Sequence, residues 1–190
     1  MNYFISKMLF NNKEKKKKYL SSLIYKKIII QARKKKFYSK LEVPDTLDGR
    51  FELIVLHLFF LKLVINKNDE KENSIFDSLV KIMFDDFDMN LRELGVGDLS
   101  VGKKIYQMSE AIAGRFKAYE NGIGSKQKDV AVILKRNVYG TCKKIDSRNL
   151  NMLVDYFKDS IKFVQNIKFS DISEKSDIFL NLEKFIISKG

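Results

Sequence analysis

Three groupings of residues in this chain have types and spacings that suggest a chemical site. Gly97-Asp98-Leu99-Ser100-Val101-Gly102-Lys103 reproduces the glycine spacing and the lysine of a phosphate-binding loop. The next residue is Lys104, where serine or threonine would ligate magnesium, and a helical pattern precedes the loop where a strand should lead in. A turn followed by a helix start explains the run better. Asp85, Asp86 and Asp88 offer carboxylates for a cation. They share one helix with an apolar stripe and have no second acidic cluster at matching spacing, so they read as a solvated face. His57 is the sole histidine and Cys142 the sole cysteine. Cys142 follows a helix stop in a lysine-rich stretch, no third residue is indicated to orient a Cys-His pair, and no Gly-x-Ser-x-Gly elbow is present. On its apolar helix His57 reads as a hydrogen-bonded core residue. No catalytic, cofactor-binding or metal-ligating residue is assigned.

The elements that position these residues are helices. The 190 residues include one proline and nine glycines, too few turn formers for an all-β fold, while 45% apolar and 12% aromatic content can fill a sizeable core. To about residue 40 the chain is dense in lysine, with Tyr19, Leu23, Ile24, Ile28 and Ile30 at near-helical spacing between the charges. This predicts a basic amphipathic helix, broken at Val43-Pro44-Asp45. A second helix is predicted over residues 48–66, apolar nearly all round, with Asp45 as N-cap and Asp48 three residues on. A third aligns Phe76, Val80, Met83, Phe87, Leu91 and Leu94 and stops at Gly95 and Gly97. A fourth starts at Asp98 or Ser100 and carries Ile105, Met108, Ile112, Phe116 and Tyr119, with Gly114 predicting the close approach of a neighbouring helix. A fifth covers 126–139 before Gly140, a sixth runs from Ser147 with Leu150, Leu153, Val154, Phe157, Ile161 and Val164, and 178–187 form a short amphipathic piece. The expectation is an all-α, single-domain bundle of about six helices.

The formal net charge of +12 favours contact with a polyanion, and the cations concentrate at Lys15, Lys16, Lys17, Lys18, Lys26, Lys27, Arg33, Lys34, Lys35 and Lys36. Such a segment fits an anionic leaflet at about 1 kcal/mol per well-placed cation, an RNA contact that weakens steeply with salt, or a plain solvated face; all three readings remain open. A single cysteine excludes an internal disulfide and a multi-thiolate zinc site, and suits a reducing compartment. The opening stretch 1–10 does not resemble a signal peptide. The longest apolar run, 51–65, falls short of the roughly 20 residues of a bilayer span and contains Glu52, His57 and Lys62. A soluble protein whose membrane contact is peripheral is expected.

Several blocks resemble the ubiquinol-cytochrome c chaperone family. They are Gln31-Ala32-Arg33, then Phe37-Tyr38-Ser39-Lys40-Leu41-Glu42-Val43-Pro44-Asp45-Thr46-Leu47-Asp48-Gly49-Arg50-Phe51 with His57 beyond it, Leu91 through Lys103, Met108, Ala113-Gly114-Arg115 and Tyr119, and Leu134 through Gly140. Together they extend from about residue 28 to 164. Glu42 departs from the family pattern, where glycine or a small residue is common. The resemblance divides the chain into a basic segment 1–27, a family-like helical domain 28–167 and a tail 168–190.

The resemblance implies an assembly chaperone for the cytochrome bc1 complex, without cofactor or small-molecule substrate. It implies as partners cytochrome b or an assembly intermediate containing it, a membrane surface or ribosome, and a small partner protein. The client-binding surface it suggests comprises Asp45, Thr46, Asp48, Gly49, Arg50, His57, Gly95, Gly97, Asp98, Lys103 and Arg115. Each has a plainer use: Asp45 as cap, Gly49 as packing space, Arg50 as partner of an acid.

Overall fold

Pro44, the glycines at 95 and 97, and Gly124 fall where the chain turns between helices, and the long runs between them stay helical. A computed structural model describes residues 2–175 and 177–189, with side chains described from residue 12 onward. The apolar character expected of stretch 1–10 thus rests on side chains outside those described. The described residues form α1 (Asn2–Ala32), α2 (Lys35–Ser39), α3 (Leu47–Lys62), α4 (Glu70–Glu93), α5 (Asp98–Gly122), α6 (Gln127–Asn137), α7 (Ser147–Val164), a 3-10 turn (Phe169–Ile172) and α8 (Leu182–Lys189). The fold is all-α. The chain divides into two compact units, Met1–Lys27 with Ile65–Gln107, and Ile28–Val64 with Met108–Gly190.

In the first unit, Ile75, Phe76, Leu79, Met83, Phe87 and Leu91 of α4 are buried together with Ile24 and Tyr25 of α1 and Val101 of α5. Ser21 donates to the Ile75 carbonyl (3.0 Å) and the Tyr25 hydroxyl donates to Asp86 (2.7 Å), tying α1 to α4 through polar bonds at the core margin. The carboxylate of Asp69 caps α4 by accepting from the Lys71 and Glu72 amides. Leu94 departs from the expected stripe and is 69% exposed. It is the residue after α4, where Gly95 takes φ 79 and the Val96 amide bonds back to the Leu91 carbonyl (3.1 Å), so the backbone leaves the helix before Leu94 reaches the core face.

The second unit is built around α3, which is buried without interruption from Phe51 to Leu61. Phe59 packs on Phe116, Tyr119 and Phe157, and Phe60 on Tyr156 and Phe157, so α5 and α7 supply aromatic cover. Leu153, Val154, Phe157, Ile161 and Val164 of α7 are buried as their spacing predicts, and Leu150 is half-buried at the edge. In α5 the stripe is narrower than expected: Ile112 and Tyr119 are buried, while Ile105, Met108 and Phe116 are half-buried. The tail joins this core through Ile172, Ile178, Phe179, Leu182 and Phe185.

Four local expectations change. The basic helix ends at Ala32 instead of continuing towards residue 40, because Lys34 is extended, Phe37 is drawn fully into the core and the Tyr38 hydroxyl donates to the Ala32 carbonyl (2.9 Å). Tyr19 and Ile30 lie off the buried face of that helix, at 71% and 58% exposure. The cap of α3 is Thr46, whose hydroxyl accepts from the Gly49 amide (3.2 Å), while Asp45 instead pairs with Arg50 Nε (2.7 Å). Gly114, expected to admit a neighbouring helix, has open space where a side chain would stand.

Candidate functional site

Polar groups inside a fold need partners there, and the groups left over at the surface identify what is available for contact. In the second unit the buried polar groups are largely engaged. His57 Nδ1 lies 2.7 Å from the Leu53 carbonyl, an acceptor only, so Nδ1 carries the proton and Nε2 accepts from the Tyr156 hydroxyl at 2.9 Å. Tyr156 in turn accepts from Gln31 Nε2 (2.9 Å), whose second hydrogen goes to the Leu180 carbonyl (2.9 Å). Burial holds His57 down to about 4, so the ring is neutral, with both nitrogens used. No nitrogen remains for Cys142, whose thiol is pushed up by burial and by Glu42. The Cys-His reading has no geometry to support it.

Glu52, the buried acid of α3, meets Arg115 of α5 in a forked pair, with Nη2 2.6 Å and Nε 3.0 Å from Oε1. Burial raises the Glu52 carboxyl, and the Arg115 guanidinium partly offsets that rise. The fully buried Tyr119 hydroxyl, in the field of the Glu52 carboxylate and beside Asn137, is pushed strongly upward by burial. Arg115, predicted for a surface, is thus committed largely to the fold. Gly49 is buried close against the Pro44 carbonyl, which a Cβ there would meet at 1.9 Å. Among the predicted edge residues, Asp45, Thr46, Asp48 and Arg50 remain exposed, while His57 and Gly49 lie inside.

In the first unit, the predicted Gly95, Gly97, Asp98 and Lys103 all sit at the turn from α4 to α5 and are exposed. Arg92 pins that turn by bonding Asp88 (2.5 Å) within α4 and Asp98 at the start of α5. Helix α4 leads into the turn and α5 begins at Asp98, so the phosphate-loop spacing falls on a helix-to-helix turn. Of the three neighbouring aspartates, Asp86 receives the Tyr25 hydroxyl and Asp88 holds Arg92. Among the described residues no group of three or more metal-ligating side chains converges.

The basic residues divide between the units. Lys15, Lys16, Lys18 and Lys26 are exposed on α1, Lys17 pairs with Glu14 (2.8 Å), and burial lowers Lys27. Farther along, Arg33 and Lys35 are exposed, Lys34 is half-buried, and Lys36 bonds Glu183 of α8. An open cleft of about 540 Å³ between α1 and α4 is lined by Lys15, Lys18 and Lys81 but also by Asp77 and Asp85, a mixture that selects for neither sign of charge. No described helix is long and apolar enough to cross a membrane. Sequence reasoning missed Gln31 and Tyr156, since nothing in their spacing announces partners so far along the chain. It also did not single out Tyr106, which is 63% exposed. It passed over Glu52 as well, although an acid in an apolar stretch demands a partner.

A sequence model of the family described as ubiquinol-cytochrome C chaperone matches residues 39–177. The ubiquinol-cytochrome-c reductase complex assembly factor 1 of Xenopus laevis is 23% identical over 138 residues, covering 72% of this chain and 68% of that protein. The human assembly factor of the same name is 22% identical over 138 residues, 73% of this chain, which spans only 46% of the human protein. The crystal structure of the Cbp3 homolog from Brucella abortus superposes with a TM-score of 0.79 at 25% identity, covering 93% of this chain and 97% of that one.

Proposed function

The chain belongs to the ubiquinol-cytochrome c chaperone family, and from that premise we propose that it holds cytochrome b, or an early intermediate containing it, at a membrane surface during assembly of the bc1 complex. The observation that carries this reading is the family match across residues 39–177. The task is adhesion: apolar client surface is shielded from wrong association, and no bond is made or broken. The engagement of His57, Tyr156, Glu52 and Arg115 with one another and with the backbone supports a role without acid-base chemistry. The exposed lysines of α1, in a chain of net charge +12, support a peripheral position on an anionic cytoplasmic leaflet. Client contact is assigned to the exposed groups alone: Asp45, Thr46, Asp48 and Arg50 at the start of α3, and the turn between α4 and α5. Whether a small partner protein joins this assembly is read from the same capture.

The test is to capture the tagged chain with intact membranes and quantify what co-purifies. Enrichment of cytochrome b over other membrane proteins is expected, and its absence overturns the proposal. The rival is a ribosome- or RNA-binding role for the basic helix. It would show as salt-sensitive pelleting with ribosomes while bc1 assembly stays normal in a deletion strain.

A further inference from the structure

In the second unit, residues 178–189 are seated in a groove whose floor is complete without them. Phe37, His57 and Tyr156 form that floor, the Phe37 ring centroid lying 5.5 Å from His57 and 5.2 Å from Tyr156. Its polar groups serve one another: His57 holds the Leu53 carbonyl and the Tyr156 hydroxyl, and Gln31 donates to Tyr156. Phe179 meets His57 edge-on at 5.1 Å and Phe185 meets Tyr156 edge-on at 5.5 Å, with Ile178 and Leu182 also buried. Ion pairs close the rim, Lys36 with Glu183, and Lys189 with Asp155 (3.4 Å) and Asp159 (3.8 Å). Apart from those pairs, one hydrogen bond among the described residues ties the segment to the body, from Gln31 Nε2 to the Leu180 carbonyl (2.9 Å). Lifting the segment out thus strands a single polar group of the floor, that amide hydrogen. Helix α8 has eight residues, too few to persist alone in water, so its seat sustains it. Half-exposed ion pairs add little to the hold, and local opening draws on elements attached in this way.

We propose that residues 178–189 are a displaceable internal occupant, and that the groove over Phe37, His57 and Tyr156 receives an amphipathic helix of a partner protein in their place. This inference rests on the chaperone reading above and gives its client a second seat, closed while no client is present. The segment now in the groove defines the chemistry that fits it. Leu182 and Phe185 point inward three residues apart, while Glu183, Lys184 and Ser188 are exposed, which is the pattern of a helix held in a groove. Gln31 requires a carbonyl acceptor, which a lipid acyl chain does not offer. A second copy of the chain brings only the same segment, in competition with a tethered one at far higher effective concentration. A longer apolar helix buries more surface than eight residues do, and prevails on that ground. His57 and Tyr156 lie within the residues matched by the family model, and the present occupant lies beyond them.

The test compares three forms of the full chain, each carrying Cys142→Ser so that no other thiol reacts. In the bridged form, Lys36→Cys and Glu183→Cys are joined by a short bis-maleimide that holds the segment in its seat. In the loosened form, Glu183→Lys turns the attraction to Lys36 into a repulsion. The third form keeps the native groove. The probe is a fluorescent synthetic peptide of residues 177–189, followed by anisotropy, and each form is also used to capture cytochrome b from host membranes. Expected is saturable peptide binding about fivefold tighter to the loosened form than to the native groove. The bridged form should bind none, and cytochrome b capture should follow the same order. Bridging should keep or raise the midpoint of thermal unfolding, so lost binding cannot be ascribed to misfolding. Peptide bound equally by the bridged form, peptide bound by none of the three, or bridges that join two copies of the chain would each overturn the proposal. Cytochrome b captured equally by the bridged and native forms would overturn the groove as its seat and leave the chaperone reading standing. Peptide binding in the expected order, without cytochrome b on any form, would uphold the groove and refute the proposed client.

Discussion

Tyr156 donates its hydroxyl proton to His57 Nε2 across 2.9 Å, joining α7 to α3 at the centre of the second unit. The bond requires a neutral imidazole, and burial keeps it so, with a pKa of about 4 in place of 6.5. The folded state therefore takes up the proton less readily than the unfolded chain. The stabilisation is complete above pH 6.5 and is lost as pH falls towards 4. Converted at about 1.4 kcal/mol per unit, it is on the order of 3 kcal/mol. Thermal unfolding between pH 7.5 and 4 should show this decline, and the decline should flatten in His57→Gln. Tyr156→Phe at pH 7.5 should cost about 1–3 kcal/mol, since it leaves Nε2 buried without a donor. A wild-type unfolding midpoint that does not change over this range would refute the account.

The pair of Glu52 and Arg115 carries a second prediction, in the form of a cycle. Arg115→Met strands a buried carboxylate and should cost about 3–5 kcal/mol, whereas the double variant Glu52→Met with Arg115→Met should recover much of that loss. Chemical denaturation of the four proteins gives the coupling directly. Additive losses would mean that the two side chains act independently.

Two glycines should respond in opposite directions. Gly49→Ala forces a methyl group to within 1.9 Å of the Pro44 carbonyl. The start of α3 must then shift, at a cost of roughly 2 kcal/mol or more on the scale of overpacked cores. Gly114→Ala fills open space in α5 and should stabilise by about 1 kcal/mol. Denaturant midpoints of the two variants on either side of wild type are the expected result.

Glu42 adopts φ 54, a left-handed conformation that costs a side chain about 1–2 kcal/mol. Glu42→Gly relieves that cost while adding freedom to the unfolded chain, for a net gain of about 0.5–1 kcal/mol. An unchanged or lower unfolding midpoint would contradict this.

These positions also show how far the residues alone carry the structure. The six main helices were legible because their apolar periods are long and the breakers between them few. His57 was legible as a core residue because its helix is apolar all round, and Glu42 stood out as a departure from a small-residue position. Harder to read were choices decided by distant partners. Asp45 and Thr46 are equally good caps locally, and Arg50 settles the matter by engaging the aspartate. Gly114 has the same helical surroundings whether or not a neighbour approaches. Leu94 and Leu99 carry the same letter as the core leucines, and only the backbone turn at Gly95 separates them from the core.

The burial of α3 on every side has a consequence for biosynthesis. Glu52 meets its arginine 63 residues later, and His57 its tyrosine 99 residues later. During translation the most apolar stretch of the molecule therefore leaves the ribosome well before the segments that cover it exist. Local helix formation cannot hide such a stretch, and long-range closure must wait for α7. The nascent chain thus passes through an interval in which its most apolar helix has emerged and the aromatic rings that cover it have not.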